Sequence, residues 1–443
     1  MPTRGPHPAR GHRNPVRPLM AGRPTVWLLA LLGFAVALRA AEPPPAARAQ
    51  QQRTNLAVFD QVWRAIERHY YDRTFHGLDW AAVGGRHRAA AARAATTEAL
   101  YAAINAMLDE LGDEHTHALT PREARARKAR EGVLLGLRLR RLDDGTGRSL
   151  VLDVMPGGSA AEQGVRPGWI LVAANDRPPD EVLGFDRLSE GQAVHCLFLD
   201  EADRPLRLTL TARRLDMRPV REARRLRDGI LYLRFDKFDT PSARWLRRQL
   251  KTHRDTPGVI LDLRTNPGGD AAALGRCLGE FFDYRAAMGT FITRRGRGRE
   301  LRAWRWPLSA RCRAPLAVLI SENSASSAEI FAAVIRHHQR GIILGERTAG
   351  AVLAARFKRL RDGGLLEYSV LDYFAPDGSR LEKRGVTPDI PIRTTLADLR
   401  AGRDPVLAAA VTALTGQHAE TLAATPLANP SADISSARAA GGG

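Results

Sequence analysis

Lysine is nearly missing from this 443-residue chain. Only five occur (Lys128, Lys237, Lys251, Lys358 and Lys383) among 67 basic residues. Any chemistry that needs a lysine amine has those five positions and no others. Cysteine is also sparse. Cys196, Cys277 and Cys312 are odd in number and lack metal-like spacing, which argues against a disulfide framework and a thiolate metal centre. Buried free thiols are the expectation. Aromatic residues make up 6% of the chain and do not stand beside basic runs, so nothing suggests a stacking platform for nucleic acid. Long apolar runs are missing too, apart from Val26–Leu38, and its 13 residues fall short of the roughly 20 that a membrane span needs.

What remains is an ordinary globular composition, 44% apolar, carrying an unusual formal charge of +19. The arginines responsible are spread along the whole chain with no long basic block. A solvated arginine-rich surface accounts for them, and no nucleic-acid partner is expected. The length suits about three domains.

At the N-terminus a basic stretch precedes the apolar run, and Ala35, Ala37, Ala40 and Ala41 surround its end. That is the layout of a secretory signal peptide, with Met20 offering a compact start. Residues 1–41 read as a signal peptide, or alternatively as an uncleaved anchor tethering the chain through residues 26–38. Either reading makes the protein exported, periplasmic or otherwise extracytoplasmic. Residues 42–53 read as a proline-rich linker.

Residues 54–128 read as a helical region: Phe59, Val62, Trp63, Ile66 and Tyr70 follow helical spacing, with Thr54 or Asn55 available as a cap. Residues 129–216 are strand-rich. Their Pro-Gly-Gly turn (Pro156–Gly158), short helical stretch and apolar strand after Arg166 resemble a PDZ domain. The resemblance places a carboxylate-binding loop at Leu135, Gly136 and Leu137, where a peptide C-terminus would bind as an added strand. Trp169 stands where such domains commonly carry an acidic residue. From 217 to 400 short apolar strands alternate with helical patterns, an α/β arrangement. Residues 401–443 read as a C-terminal helix and a disordered tail.

Two turns stand out. Ser326 follows the apolar strand Leu316–Ser321 and opens a helix carrying Glu329. A serine at a strand's carboxyl end, among free helix N–H groups, suits a nucleophile whose attack creates an oxyanion. A simple helix cap is the alternative. Asn266–Gly269 (NPGG) follows another apolar strand, and its glycines can turn a backbone N–H toward a substrate oxygen. Both turns follow core strands, so they can face one crevice.

GVILDLRTNPGGDAAAL, PLAVLISENSASSAEIFAAVI, GIILGERTAG and GVTPDI together resemble the core of the C-terminal processing serine peptidases, and the flanking parts agree in order. The resemblance spans roughly Thr54 to Ile392. It implies a crotonase/ClpP-like ββα core with an inserted PDZ-like domain and an N-terminal helical region, and no cofactor. It also implies Ser326 as nucleophile, with Ser327 and Gly268 or Gly269 as oxyanion donors.

The sequence departs from that family at two linked positions. The usual general base is a lysine 25 residues after the serine; here position 351 is alanine, and Ala355 replaces the glutamine that follows it. A branch resembling the tricorn core peptidase and the retinoid-binding repeat proteins uses histidine with glutamate instead. LGDEHTHALTP (Leu111–Pro121) puts His115 where the lysine-type motif has tyrosine, and Glu382 precedes GVTPDI at the branch's glutamate position. Imidazole can accept the serine proton and return it to the leaving amine, while a carboxylate fixes its tautomer. His117 is the rival base, and His115-x-His117 has no third ligand at metal spacing. The implied function is an exported serine endopeptidase that captures protein C-termini; the alternative is a peptidase-like binding scaffold that has lost its base. The oligomeric state is not legible.

Overall fold

The computed structural model describes residues 44–416 apart from 143, 184–186, 227 and 305–310. The segment expected to direct export, the tether expected at 26–38 and the tail beyond 416 lie outside the described residues. No helix among those described is long and apolar enough to cross a membrane.

The first helix runs from Pro45 to His69, so the segment expected as a linker is largely helical. Pro45 occupies the first helical turn, where its missing N–H costs nothing, and Ala, Arg and Gln continue it well. Asn55 is accordingly no cap. It is buried within the helix and donates its side-chain amide to the carbonyls of Ala91 and Ala94, tying this helix to the end of Trp80–Arg93. A third helix, Thr97–Asp109, is capped by the Thr96 hydroxyl.

These helices bury Val58, Phe59, Val62, Ile66, Leu100, Ile104 and Leu108 against Leu353 and against Leu366 and Tyr368 of a five-stranded sheet. That sheet contains the long strand Leu365–Phe374, with Ala287–Thr293, Gly298–Arg302 and Ala354–Arg359. Its remaining member is His117–Leu119, antiparallel to Leu365–Glu367. Through this short strand the polar segment after the third helix is held in the body of the fold.

Residues 137–211 form a second, antiparallel five-stranded sheet with its own apolar cluster, including Val151, Leu171, Val194, Phe198 and Leu210. Cys196 is buried in that cluster, which pushes its thiol up to about 12.

The third layer positions the candidate site. Six strands are ordered Ile390–Pro391, Ile342–Gly345, Leu316–Ile320, Val259–Asp262, Leu231–Phe235 and Arg221–Arg225, all parallel except the last. Val259–Asp262 and Leu316–Ile320 are buried throughout, as expected for central parallel strands covered on both faces. One face packs on the helices Thr240–Thr252, Ala271–Leu278 and Ser327–His337. The other is covered by Pro405–Thr415, whose Val406, Ala410 and Leu414 lie on Ile230, Tyr232, Ile260, Ala317, Leu319 and Leu344. The two strands that precede the NPGG and serine turns are adjacent, so both turns leave the same edge of the sheet.

Candidate active site

The two turns are joined by hydrogen bonds between backbone and short side chains. Ser321 Oγ donates to the Arg264 carbonyl at 2.7 Å, Ser324 Oγ to that of Leu263 at 2.8 Å, and Ser327 Oγ to that of Gly269 at 3.1 Å. The Ala325 N–H donates to the Asn266 carbonyl. Asn266 is fully buried; its amide donates to the Phe235 carbonyl at 2.7 Å, and its side-chain oxygen accepts the Gly268 N–H at 2.8 Å.

Asn266 distinguishes the two glycines expected as oxyanion donors. The Gly268 N–H is already occupied, whereas those of Gly269 and Ser327 have no acceptor among the described residues. Gly269 has φ +147°, and a Cβ placed there would stand 2.2 Å from the Phe238 carbonyl oxygen. Gly269→Ala is therefore expected to displace the turn and lower kcat/KM by about 100-fold or more. Melting temperature measured alongside separates this from global unfolding.

Ser326 precedes the helix Ser327–His337 with φ +53° and ψ −117°, a backbone region that a side-chain-bearing residue rarely occupies. It is held there from two sides: its N–H lies 2.8 Å from the Ala351 carbonyl and 3.0 Å from Glu329 Oε2. Glu329 is itself fully buried and accepts three further bonds, from Thr348 Oγ1 at 2.6 Å and the N–H groups of Gly350 and Ala351 at 2.7 and 2.9 Å. Burial pushes its carboxyl up while these donors pull it back.

The segment after Gly350 joins Ser326 to the other expected residues. Ala351 is buried and turns its carbonyl to Ser326. The next two N–H groups, of Val352 and Leu353, donate to Glu382 Oε2 at 2.9 and 3.3 Å. Glu382 is buried, which raises its pKa; Asp113 raises it further and His115 lowers it, so both lie within its electrostatic reach. His115 Nε2 is buried with no hydrogen-bond partner among the described residues. Its backbone N–H donates to Asp113 Oδ1 at 2.9 Å, and Asp113 Oδ2 accepts from Thr116 Oγ1. Thr116 Oγ1 in turn accepts the Ser369 N–H at 3.1 Å.

His117 faces elsewhere: it lies 3.7 Å from Glu367 across the paired strands, and its side chain is 38% exposed. No hydrogen bond joins His115 to Ser326 among the described residues. Asp113, Asn266 and Thr348 were not singled out from sequence. The capping pattern Ser-x-x-Glu at 326–329 is the one signal that points to the Glu329 contact with the Ser326 N–H.

Leu135 and Gly136 form a loop against Gly158–Ala160. Gly136 has φ +87°, and a Cβ on it would stand 2.7 Å from Gly158 Cα. The Ala160 N–H bonds the Leu135 carbonyl, while the N–H groups of Leu135 and Gly136 have no acceptor among the described residues. Leu137 begins the strand Leu137–Arg141.

Residues 229–392, which contain both turns, Glu329 and Glu382, match peptidase family S41. The chain is a serine peptidase whose S41 core lies at those residues. Residues 52–109 separately match the tricorn protease C1 domain. Among relatives, the chloroplastic carboxyl-terminal-processing peptidase 2 of Arabidopsis thaliana is 28% identical over 358 residues, covering 76% of this chain and 68% of its own. A putative tricorn protease homolog of Streptomyces coelicolor is also 28% identical, over 80% of this chain but 32% of its own length. Two solved structures share the S41 peptidase's fold. The photosystem II D1 C-terminal processing protease has a TM-score of 0.55 at 23% identity, covering 77% of this chain and 93% of its own. Mature CPAF with lactacystin has a TM-score of 0.61 at 14% identity, covering 84% and 99%.

Proposed function

We propose that this S41 peptidase is an exported endopeptidase working through Ser326, His115 and Glu382. Ser326 attacks the scissile carbonyl; His115 takes its proton and passes it to the leaving amine; Glu382 stabilises the imidazolium through the field they share. The oxyanion is received by the free N–H groups of Ser327 and Gly269. Water then releases the acyl group by the same base.

The observation that carries this reading is the role of residues 351–353. Where the lysine-type family has its base, a buried alanine supplies only backbone. That backbone bonds Ser326 on one side and Glu382 on the other. The buried Nε2 of His115, without a hydrogen-bond partner among the described residues and within electrostatic reach of the same carboxylate, supports histidine as the base that fills the lysine's role. In the same reading residues 129–216 are a PDZ-like domain, and the free N–H groups of Leu135 and Gly136 receive a substrate's terminal carboxylate.

A fluorophosphonate probe tests the nucleophile directly. Stoichiometric labelling of the native chain, lost in Ser326→Ala and slowed roughly 1,000-fold in His115→Ala, is the expected result. A native chain that stays unlabelled would favour the binding-scaffold alternative.

A further inference from the structure

The strand Ala354–Arg359 leaves the candidate site directly after Ala351–Leu353. It pairs on one edge with Leu365–Leu371, and no described strand pairs its other edge. A free edge offers a row of unpaired N–H and C=O groups, which an extended peptide can extend by one strand. The edge is therefore continuous with Ser326 at one end, and Gln61 fixes the other by accepting the Arg361 N–H and donating to the Arg359 carbonyl.

The side chains along this edge are unusual. Arg356 stands opposite Tyr368 and Lys358 opposite Leu366, and opposed residues of an antiparallel pair share a face. On that face the His69 ring lies 6.5 Å from the Tyr368 ring. The charges of Lys358, Arg68, Arg356 and Arg294 all bear on His69. Arg294 has a structural task, donating to the Tyr70 carbonyl near the end of the first helix at 2.7 Å. Arg68, Arg356 and Lys358 have no carboxylate partner among the described residues, although this protein pairs many of its arginines. On the opposite face Phe357 is 51% exposed, with the Arg127 guanidinium 4.5 Å from its ring centroid.

We propose that this edge is a substrate-docking rail selective for acidic sequence. An extended substrate segment adds to Ala354–Arg359 as a further strand. It places carboxylate side chains at alternate positions toward Arg356 and Lys358, and an apolar side chain between them toward Phe357. Period-two spacing sets that pattern, because successive side chains of a strand point to opposite faces. The uncompensated charge supplies the preference, and no cation of the catalytic reading takes part in it. The proposal rests on Ser326 being the nucleophile, since that places the rail beside the scissile bond.

The test measures binding rather than turnover. Two peptides with amidated C-termini, so that neither offers a terminal carboxylate, carry Glu-Leu-Glu or Gln-Leu-Gln at their centres. Their affinity for the full chain bearing Ser326→Ala is followed by fluorescence anisotropy. The Glu peptide is expected to bind at least about 10-fold more tightly at low salt and to lose that advantage as salt screens it. The double variant Arg356→Glu/Lys358→Glu should abolish the difference between the peptides, with the melting temperature confirming its fold. Equal affinities, or a preference that survives the double variant, would overturn the rail. So would a single-stranded oligonucleotide that binds more tightly than the Glu peptide and is lost in the same variant. Failure of the catalytic reading registers separately, as absence of probe labelling at Ser326.

Discussion

Replacing Ser326 by alanine should lower kcat/KM for peptide hydrolysis by roughly 10,000-fold or more, and His115→Ala should do nearly the same. The double variant should be scarcely worse than either alone. Residues that act as a unit are non-additive: once the nucleophile is gone the base has nothing to activate. The residual rate would come from Ser327 and Gly269, whose free N–H groups remain to receive an oxyanion. Folding should survive both changes, because alanine keeps the Ser326 N–H that Glu329 and the Ala351 carbonyl hold, and His115 Nε2 has no hydrogen-bond partner among the described residues. Kinetics of the two single variants and the double variant, with circular dichroism melts, check all of this. Substantial activity in purified His115→Ala would remove histidine from the mechanism.

Glu329→Ala should be the most damaging change that leaves all three reacting groups in place. It strips the acceptor from the N–H groups of Ser326, Gly350 and Ala351 and from the Thr348 hydroxyl, all in a buried setting. Buried donors left unsatisfied cost about 1–3 kcal/mol each, partly offset by no longer burying a carboxylate. A net loss of about 3 kcal/mol is expected, with activity down at least 100-fold because Ser326 loses one of its two backbone restraints. Glu329→Gln, keeping the shape and an acceptor, should lie between this variant and the native chain.

The native chain should also show a pH signature that Glu329→Gln lacks. Burial raises this carboxyl above its unfolded value, so between the two values the folded state binds more protons. Its contribution to stability is then fully present below the unfolded value and is lost as pH rises through the folded one. Denaturant unfolding at a series of pH values from about 4 upward measures the slope.

Much of this site could be read from the sequence because it depends on local rules. A serine between an apolar strand and a helix, and two glycines after a neighbouring strand, are positions where the chain must turn, and both turns leave adjacent parallel strands. The arrangement around position 351 was legible only as a missing lysine. That alanine's neighbours would use their backbone to link Ser326 with Glu382 depends on non-local pairing, which side-chain identity does not encode. Asp113 is not legible for a different reason: its contact with His115 is local but is made to a backbone N–H. The start of the first helix is hidden in the sequence because the proline run before Pro45 suggests an extended spacer, although proline in a first turn is favourable. Ala354–Arg359, rich in arginine and lysine, has little of the alternation that marks a half-buried strand; its partner Leu365–Phe374 supplies the packing.

The helix Pro405–Thr415 covers one whole face of the parallel sheet, and it is the last described element of the chain. This sets an order in time. A ribosome that has delivered both turns, Glu329 and Glu382 has still not delivered the cover for Ile260, Ala317 and Leu319, and strand Ile390–Pro391 has only just arrived to close the sheet beside Ile342–Gly345. Until residue 415 emerges, the nascent core exposes an apolar sheet face, and strands paired across long sequence separations form late. Delivery of residues 405–415 therefore completes the core from which both turns project.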